Sequence, residues 1–212
     1  INKKSNSKEL KIKGNIFDID FNSIWKRNYD NVKTTSNEIN LKNPNLHINN
    51  LFTFESSSNF SGKSFINFLN EEINIKYSFN NNKIYIDSAN KNKNKNQKIQ
   101  LNSKVELDPF FFNATVKIDQ KNVNFIIDNL LSIIFHLNEK DLGNINGNLT
   151  LDINNLKDSI INNGKIIFLF KEKKITMQKS LFEIEDIGNL SSNIRYYENK
   201  GDLIFASENV FE

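Results

Sequence analysis

Few residues in this chain have the types and spacing that chemistry needs. In "FSGKSF", Gly62-Lys63-Ser64 repeats the end of a phosphate-binding loop, whose backbone cradles phosphates while its Lys reaches them. The full motif needs a Gly five residues before Gly62, and that position is Ser57. A helix should also follow, whereas Phe65, Phe68, Ile73 and Ile75 continue as loop and strand. His47 and His136 are the only histidines, so a metal site or a triad would have to draw carboxylates from distant loops. His47 sits in a strand-like run and His136 at a helix end, where the dipole favours a cation; both read as structural. Asp18 with Asp20, and Glu183 with Glu185, share strand faces and could hold a hard cation or act in acid-base work. Such pairs also mark the wet face of a sheet, and that is the preferred reading. Trp25 reads as a packing anchor. With no Cys, disulfides and thiolate metal sites are excluded. No catalytic residue, metal ligand or cofactor is assigned, and the chain reads as a non-enzyme.

Composition agrees with a structural or binding role. The 212 residues suffice for one large domain or two small ones. Asn makes up roughly a fifth of the chain, which looks like AT-rich coding drift, so a single Asn or Lys carries little weight. The sequons at Asn59, Asn113, Asn148 and Asn189 are expected by chance on that background. A net charge of +3 is weak support for an acidic partner, and the dense basic face of a nucleic-acid binder is missing. The hydrophobic share is 38 %, with 18 Phe, a combination that suits sheets with one dry and one wet face.

Alternation of apolar and polar residues recurs along the chain. "LKIKGNIFDIDF" changes parity between Ile16 and Phe17, which a bulge near Gly14 to Phe17 would reconcile. "SIWKRNYDNVKTTSN" reads as an excursion, and Ile39, Leu41, Leu46 and Ile48 alternate around Pro44. Ile73, Ile75, Tyr77 and Phe79 form one face of a hairpin whose turn is Asn80 to Asn82, with Ile84 and Ile86 returning. "NKNKNKNQK", Asn90 to Lys98, reads as a solvated loop. Ile99, Leu101, Val105 and Leu107 form a strand, Asp108-Pro109 turns, and Phe112, Ala114, Val116 and Ile118 form the next. Val123, Ile126, Ile127, Leu130, Leu131, Ile134 and Phe135 fall three and four apart, which predicts an amphipathic helix over 121–137. Strands resume at Leu149, Leu151 and Ile153, then Ile166, Phe168 and Phe170, then Ile175 and Met177, then Phe182 and Ile184. Ile194 and Tyr196 face Leu203 and Phe205 across "ENKGD". Strands and helices do not alternate, which argues against a parallel α/β enzyme fold.

The apolar stripe can serve as the core of a closed sandwich or as the lining of an open lipid groove. "LGNINGNLTLDINNLKD", with Gly143 and Gly147 followed by Leu149, Leu151 and Ile153 and closed by Leu156-Lys157, resembles the AsmA-like C-terminal region. The preceding helix, "GKIIFLF" and "FEIEDIGNLSSNIRYYENKGDLIFAS" follow the same order, and the resemblance is weakest before Asn40. It implies a mainly β fold: a curled antiparallel sheet forming an open groove or half-barrel, with one helix near 121–137. The whole of 1–212 is expected to be a single elongated domain of a longer chain, any sub-boundary falling near that helix.

The implied function is non-catalytic lipid transfer across the bacterial periplasm toward the outer membrane, with an inner-membrane anchor in a segment outside this chain. Phospholipid acyl chains are the implied partner. Their lining is expected from Ile73, Ile75, Tyr77, Phe79, Leu101, Val105, Phe112, Val116, Leu149, Leu151, Ile153, Phe168 and Phe170. Protein partners and lipid identity stay open. The alternative is a structural or adhesive β-repeat with a closed core and no lipid.

Overall fold

The computed structural model describes residues 7–16, 19–28, 34–41, 46–54, 56, 58–68, 71–88, 98–121, 124, 145–157, 159–172, 174–199 and 202–211. They form two compact units, Ile1–Gln97 and Lys98–Glu212. Both are almost entirely β. The first holds β1 (Ser7–Ile16), β2 (Ile19–Asn28), β3 (Thr34–Leu41), β4 (Leu46–Phe54), β5 (Asn59–Phe68), β6 (Glu71–Asn80) and β7 (Lys83–Ser88). The second holds β8 (Ile99–Leu107), β9 (Phe110–Asp119), β10 (Gly147–Asn154), β11 (Ile161–Lys171), β12 (Lys174–Ile184), β13 (Gly188–Asn199) and β14 (Asp202–Phe211). Within each unit every strand lies beside its neighbours in sequence. Among the described residues no pairing closes either unit into a barrel.

In the first unit all pairs are antiparallel and the register runs without a slip from β1 to β7. The parity change near Phe17 is therefore a hairpin, not a bulge. Gly14 opposes Phe21 and Ile16 opposes Ile19, so Leu10 and Ile12 belong to one strand and Phe21 to the next, on a shared face. The expected excursion after Ser23 is likewise strand: β2 runs to Asn28 and β3 begins at Thr34. The hairpin of Ile73 to Ile86 is present as β6 and β7. Its central Asn81 and Asn82 have φ of 46° and 68°, the pair of positive values that a two-residue type I′ turn needs and that Asn tolerates.

The second unit departs from the antiparallel expectation at one place, because β9 and β10 are parallel, with Ala114 beside Leu149 and Val116 beside Leu151. A parallel pair requires the chain to return along the full strand before pairing, which takes a dozen or more residues. Residues 120–146 supply that return. The helix expected over 121–137 falls in this connection and, except for Lys121 and Asn124, outside the described residues. The Asn90 to Lys98 run also lies outside them, save for Lys98. Met177 and Phe182, read as members of separate strands, both lie in β12. A register shift between Met177 and Ser180 carries the apolar parity from odd to even positions, as a bulge does.

The core of the second unit is one face of its strands. Ile118, Leu151, Ile153, Ile166, Phe168, Phe170, Ile175 and Met177 pack together, with Phe112, Val116, Leu149 and Phe182 at their margins. Phe168 is 0 % exposed and Leu151 2 %, so this face is closed off from solvent along its centre. At about 25 cal/mol per Å² of apolar surface removed from water, each such side chain contributes about 1.5–3 kcal/mol.

Four strand glycines share one device. Gly14 opposes Phe21, Gly62 opposes Tyr77, Gly147 opposes Phe112 and Gly164 opposes Phe182. In each case the partner's ring occupies the space where a Cβ would stand. At Gly62 an added Cβ would come 2.5 Å from Tyr77 Cζ and 2.7 Å from the Leu51 carbonyl. A ring lying over a glycine shields exposed backbone and gains apolar contact that the glycine cannot supply itself. Gly62→Val is expected to lower unfolding stability by about 2–3 kcal/mol through overpacking. Gly62→Val combined with Tyr77→Ala should recover part of that loss in urea denaturation, and an unrecovered loss would place the cost in the backbone instead.

Candidate functional site

Unbroken register in the first unit arranges side chains in straight rows across its strands. One face carries Leu10 and Ile12 of β1, Phe21 and Trp25 of β2, Ile39 and Leu41 of β3, and Leu46, Ile48, Phe52 and Phe54 of β4. It continues through Phe60 and Ile66 of β5, Ile73, Ile75, Tyr77 and Phe79 of β6, and Ile84 and Ile86 of β7. This is the apolar stripe.

Hydrogen-bonding residues cross it. Asn37, Asn50 and Ser64 lie in one row on β3, β4 and β5, with Ser23 of β2 beside Asn37. Ser64 Oγ donates to Asn50 Oδ1, Asn50 Nδ2 donates to Asn37 Oδ1 at 3.2 Å, and Asn37 Nδ2 donates to Ser23 Oγ at 2.8 Å. All donors point the same way, an arrangement in which each bond polarises the next. Asn37 is 3 % exposed, and Ser23 and Ser64 are also buried. Nothing in the sequence reading singled these residues out. The signal was available for Asn50 and Ser64: each is the one hydrogen-bonding residue on an otherwise apolar parity, as Asn50 is in Leu46, Ile48, Asn50, Phe52, Phe54.

The polar row divides the stripe chemically. On one side the face is mainly aliphatic, with Ile12, Ile39, Ile48, Ile66, Ile73, Leu41 and Leu46. On the other it is mainly aromatic. Phe52 meets Trp25 edge-on with centroids 5.8 Å apart, Phe54 lies 5.6 Å from Phe52, and Phe60 stacks on Phe79 at 4.9 Å and 16°. Phe60 also meets the edge of Tyr77 at 6.4 Å. Such contacts add about 0.5–1.5 kcal/mol each to the area they bury. Desolvation by this surrounding pushes the Tyr77 phenol up to about 12.

The opposite face is mainly polar, with Leu51, Phe65 and Tyr85 exposed on it. Asn49 Nδ2 donates to His47 Nε2 at 2.8 Å, His47 Nδ1 donates to Asn40 Oδ1, and Asn40 Nδ2 donates to Glu38 Oε1 at 3.3 Å. Both His47 nitrogens are thus engaged by amides. Ile24, Leu51 and Phe65 frame a depression of about 260 Å³ with Lys26 and Glu38 at its rim, smaller than a typical ligand pocket. Lys63 and Ser64 of "FSGKSF" point to opposite faces of β5, which rules out a phosphate cradle formed by the two side chains together. Asp20 accepts from Asn15 at 3.3 Å and Glu183 from Asn163 at 2.6 Å, both exposed. His136 and Asp18 lie outside the described residues.

The thirteen expected lining residues fall into two groups. Ile73, Ile75, Tyr77 and Phe79 sit together on β6, in the apolar face of the first unit. Leu101, Val105, Phe112, Val116, Leu149, Leu151, Ile153, Phe168 and Phe170 share one face of β8 to β11. Ile73, Ile75, Leu151, Ile153, Phe168 and Phe170 are buried, and the other seven are partly so. Among the apolar residues on the face of the first unit, Leu10 is 58 % exposed, Ile12 40 % and Trp25 37 % on β1 and β2, and Phe54 on β4 is 36 % exposed.

No family model matches the chain, and no curated protein matches it.

Two outcomes follow from this geometry. Asn37→Leu and Asn50→Leu should each cost about 1–3 kcal/mol, because each removes one of the other amide's two bonds and the bond to a buried serine. The double variant should cost less than the sum; additive urea-denaturation values would show that the amides act independently. Separately, Tyr77 prefers its neutral form more in the folded than in the unfolded chain, where its pKa is near 10. Its contribution to stability is complete below pH 10 and is lost as pH rises from 10 through about 12. Tyr77→Phe should therefore lose less stability than the parent across that window in denaturant midpoints, and identical alkaline slopes would show that burial does not hold the phenol.

Proposed function

We propose that this chain is a non-catalytic lipid-binding module whose apolar β face receives phospholipid acyl chains. In this reading it forms part of an open groove, a half-barrel of the AsmA/TamB type. That groove carries phospholipid across the bacterial periplasm toward the outer membrane, with an inner-membrane anchor outside this chain. The observation that carries the proposal is the split in exposure of a single apolar face. On it Ile73 and Ile75 of β6 are buried, while Leu10, Ile12 and Trp25 on β1 and β2 and Phe54 on β4 stand open to solvent. Open aliphatic and indole surface continuous with a buried apolar wall is energetically costly in water and favourable against hydrocarbon, by about 0.8 kcal/mol per methylene.

The mechanism needs no reacting group. Rows of near-equivalent side chains let an acyl chain shift along the wall without a deep trap. The aromatic end supplies ring surface suited to the interfacial part of an amphiphile.

A second reading rests on its own observation. Exposures of 0–2 % at Phe168, Ile118, Leu151 and Ile175 are those of a sealed core, which favours a structural β module for the second unit. The two readings are compatible when the first unit carries the lipid and the second supplies stability.

Trp25 is the only tryptophan and therefore reports on this surface. Phospholipid with brominated acyl chains is expected to quench its emission, and phospholipid should co-purify with the chain in mass spectra. Leu10→Gln with Ile12→Gln should weaken uptake about tenfold, from the apolar contact removed. Absence of both quenching and co-purified lipid would leave the closed-core reading alone.

A further inference from the structure

β1 is the outermost strand of the first unit. Among the described residues it pairs with β2 alone, and every residue from Lys8 to Asn15 is exposed. In an antiparallel pair half of a strand's backbone N–H and C=O groups point away from its neighbour, so β1 presents a row of them along its outer side. Proteins blunt such edges with Pro, bulges, short strands or charge. β1 is ten residues long, holds no Pro and pairs with β2 without a slip. Charge is the one device it has, in Lys8, Glu9, Lys11 and Lys13.

The order of those charges decides what the edge can accept. Two copies of β1 can meet antiparallel about a two-fold axis, and the apolar faces stay continuous only when a single residue lies at the centre of the register. A centre at Glu9 sets Glu9 against Glu9, one at Lys11 sets Lys11 against Lys11, and one at Ile12 sets Lys11 against Lys13. Like charges directly opposite destabilise a sheet, and opposite charges stabilise it. A centre at Leu10 has no like pair: each Glu9 opposes the other copy's Lys11, Lys13 opposes Ser7, and the exposed Leu10 side chains meet at the axis. Glu9 holds Lys11 of its own strand at 3.1 Å, and across the axis it gains a second lysine. The contact therefore extends an existing ion pair and needs no vacant group. Charges that block the other registers admit this one.

We infer that two copies of this chain associate through β1, antiparallel about a two-fold axis at Leu10, each adding a strand to the other's sheet edge. Backbone hydrogen bonds hold such a contact and side-chain matching sets its register. The inference does not depend on the lipid reading. Pairing runs from Ser7 to Lys13 of each copy, a small contact beside the roughly 1,600 Å² of a standard interface. The dimer is accordingly weak, with a dissociation constant on the order of 10 μM.

Sedimentation of the full chain from about 1 to 100 μM should show a monomer–dimer equilibrium centred in that range. Glu9→Lys, which places like charges opposite at two symmetric positions, should weaken it about tenfold. Glu9→Lys with Lys11→Glu exchanges the charges and should restore it. Cross-linking tests the register without altering charge. The chain has no Cys, so one introduced thiol reports one contact. Leu10→Cys should oxidise to a disulfide-linked dimer, its two thiols being opposite each other. Ile12→Cys should not, because its thiols stand four residues apart along the strands, about 13 Å.

A chain that stays monomeric at 100 μM would overturn the inference, as would Ile12→Cys linking as readily as Leu10→Cys. Growth beyond the dimer would overturn it too, in favour of open-ended edge pairing. If Glu9→Lys lowers the melting temperature, the two cysteine variants decide the matter alone.

Discussion

The backbone ladder of the first unit is the constraint on which everything else depends. Because β1 to β7 pair without a register slip, a residue's position along its strand decides both its face and its row. A shift of one residue in any pair would send that strand's apolar set to the wet face. Register also sets the chemistry of each row: an aliphatic band, a polar line and an aromatic band follow one another. The hydrogen bonds from Ser64 through Asn50 and Asn37 to Ser23 tie four strands at one level. An interruption there leaves amides buried without partners, so the polar line stabilises the same register that creates it.

Glycine and ring pairs complement this. A chain with 7 Gly among 212 residues places three of them in strand interiors and one, Gly147, at the start of β10, each beneath an aromatic side chain. The ring covers backbone that a β-branched residue would otherwise shield, and its breadth spans more of the row than an aliphatic residue could. Tyr77 over Gly62 joins the aromatic band in this way, through its edge contact with Phe60. The residue that looked like part of a nucleotide loop is there because a ring needs its space.

Much of this fold was legible in the sequence. Alternation located most of the strands from Ile39 onward, and the Asn-rich turn after Asn80 is where a type I′ turn needs two residues of positive φ. What alternation could not separate is a parity change caused by a turn from one caused by a bulge. Ile16 to Phe17 was a hairpin, while Met177 to Phe182 was one strand with a shifted register, and the local patterns are alike. The parallel pairing of β9 with β10 was hidden for a different reason: strand direction depends on where the intervening chain returns, which no residue of either strand encodes. The polar row was discounted because Asn is so common here. An Asn on the wet parity is indeed uninformative, but Asn37 and Asn50 are on the dry one. Each stands four residues from the last pair of the β3–β4 ladder, Leu41 and Leu46.

The contrast between the units bears on why a lipid face would be built this way. A core sealed as tightly as that around Phe168 gains stability from every residue it buries and has nothing left to offer a ligand. A face left open along two strands gives up that stabilisation at Leu10, Ile12 and Trp25. Such a concession is tolerable where register is held by other means. In the first unit it is held by the buried polar row and the ring contacts, which run from β2 to β6 and include Trp25 through its edge contact with Phe52, so β1 is free of that task. The strand with the least structural work to do is therefore the one that exposes Leu10 and Ile12.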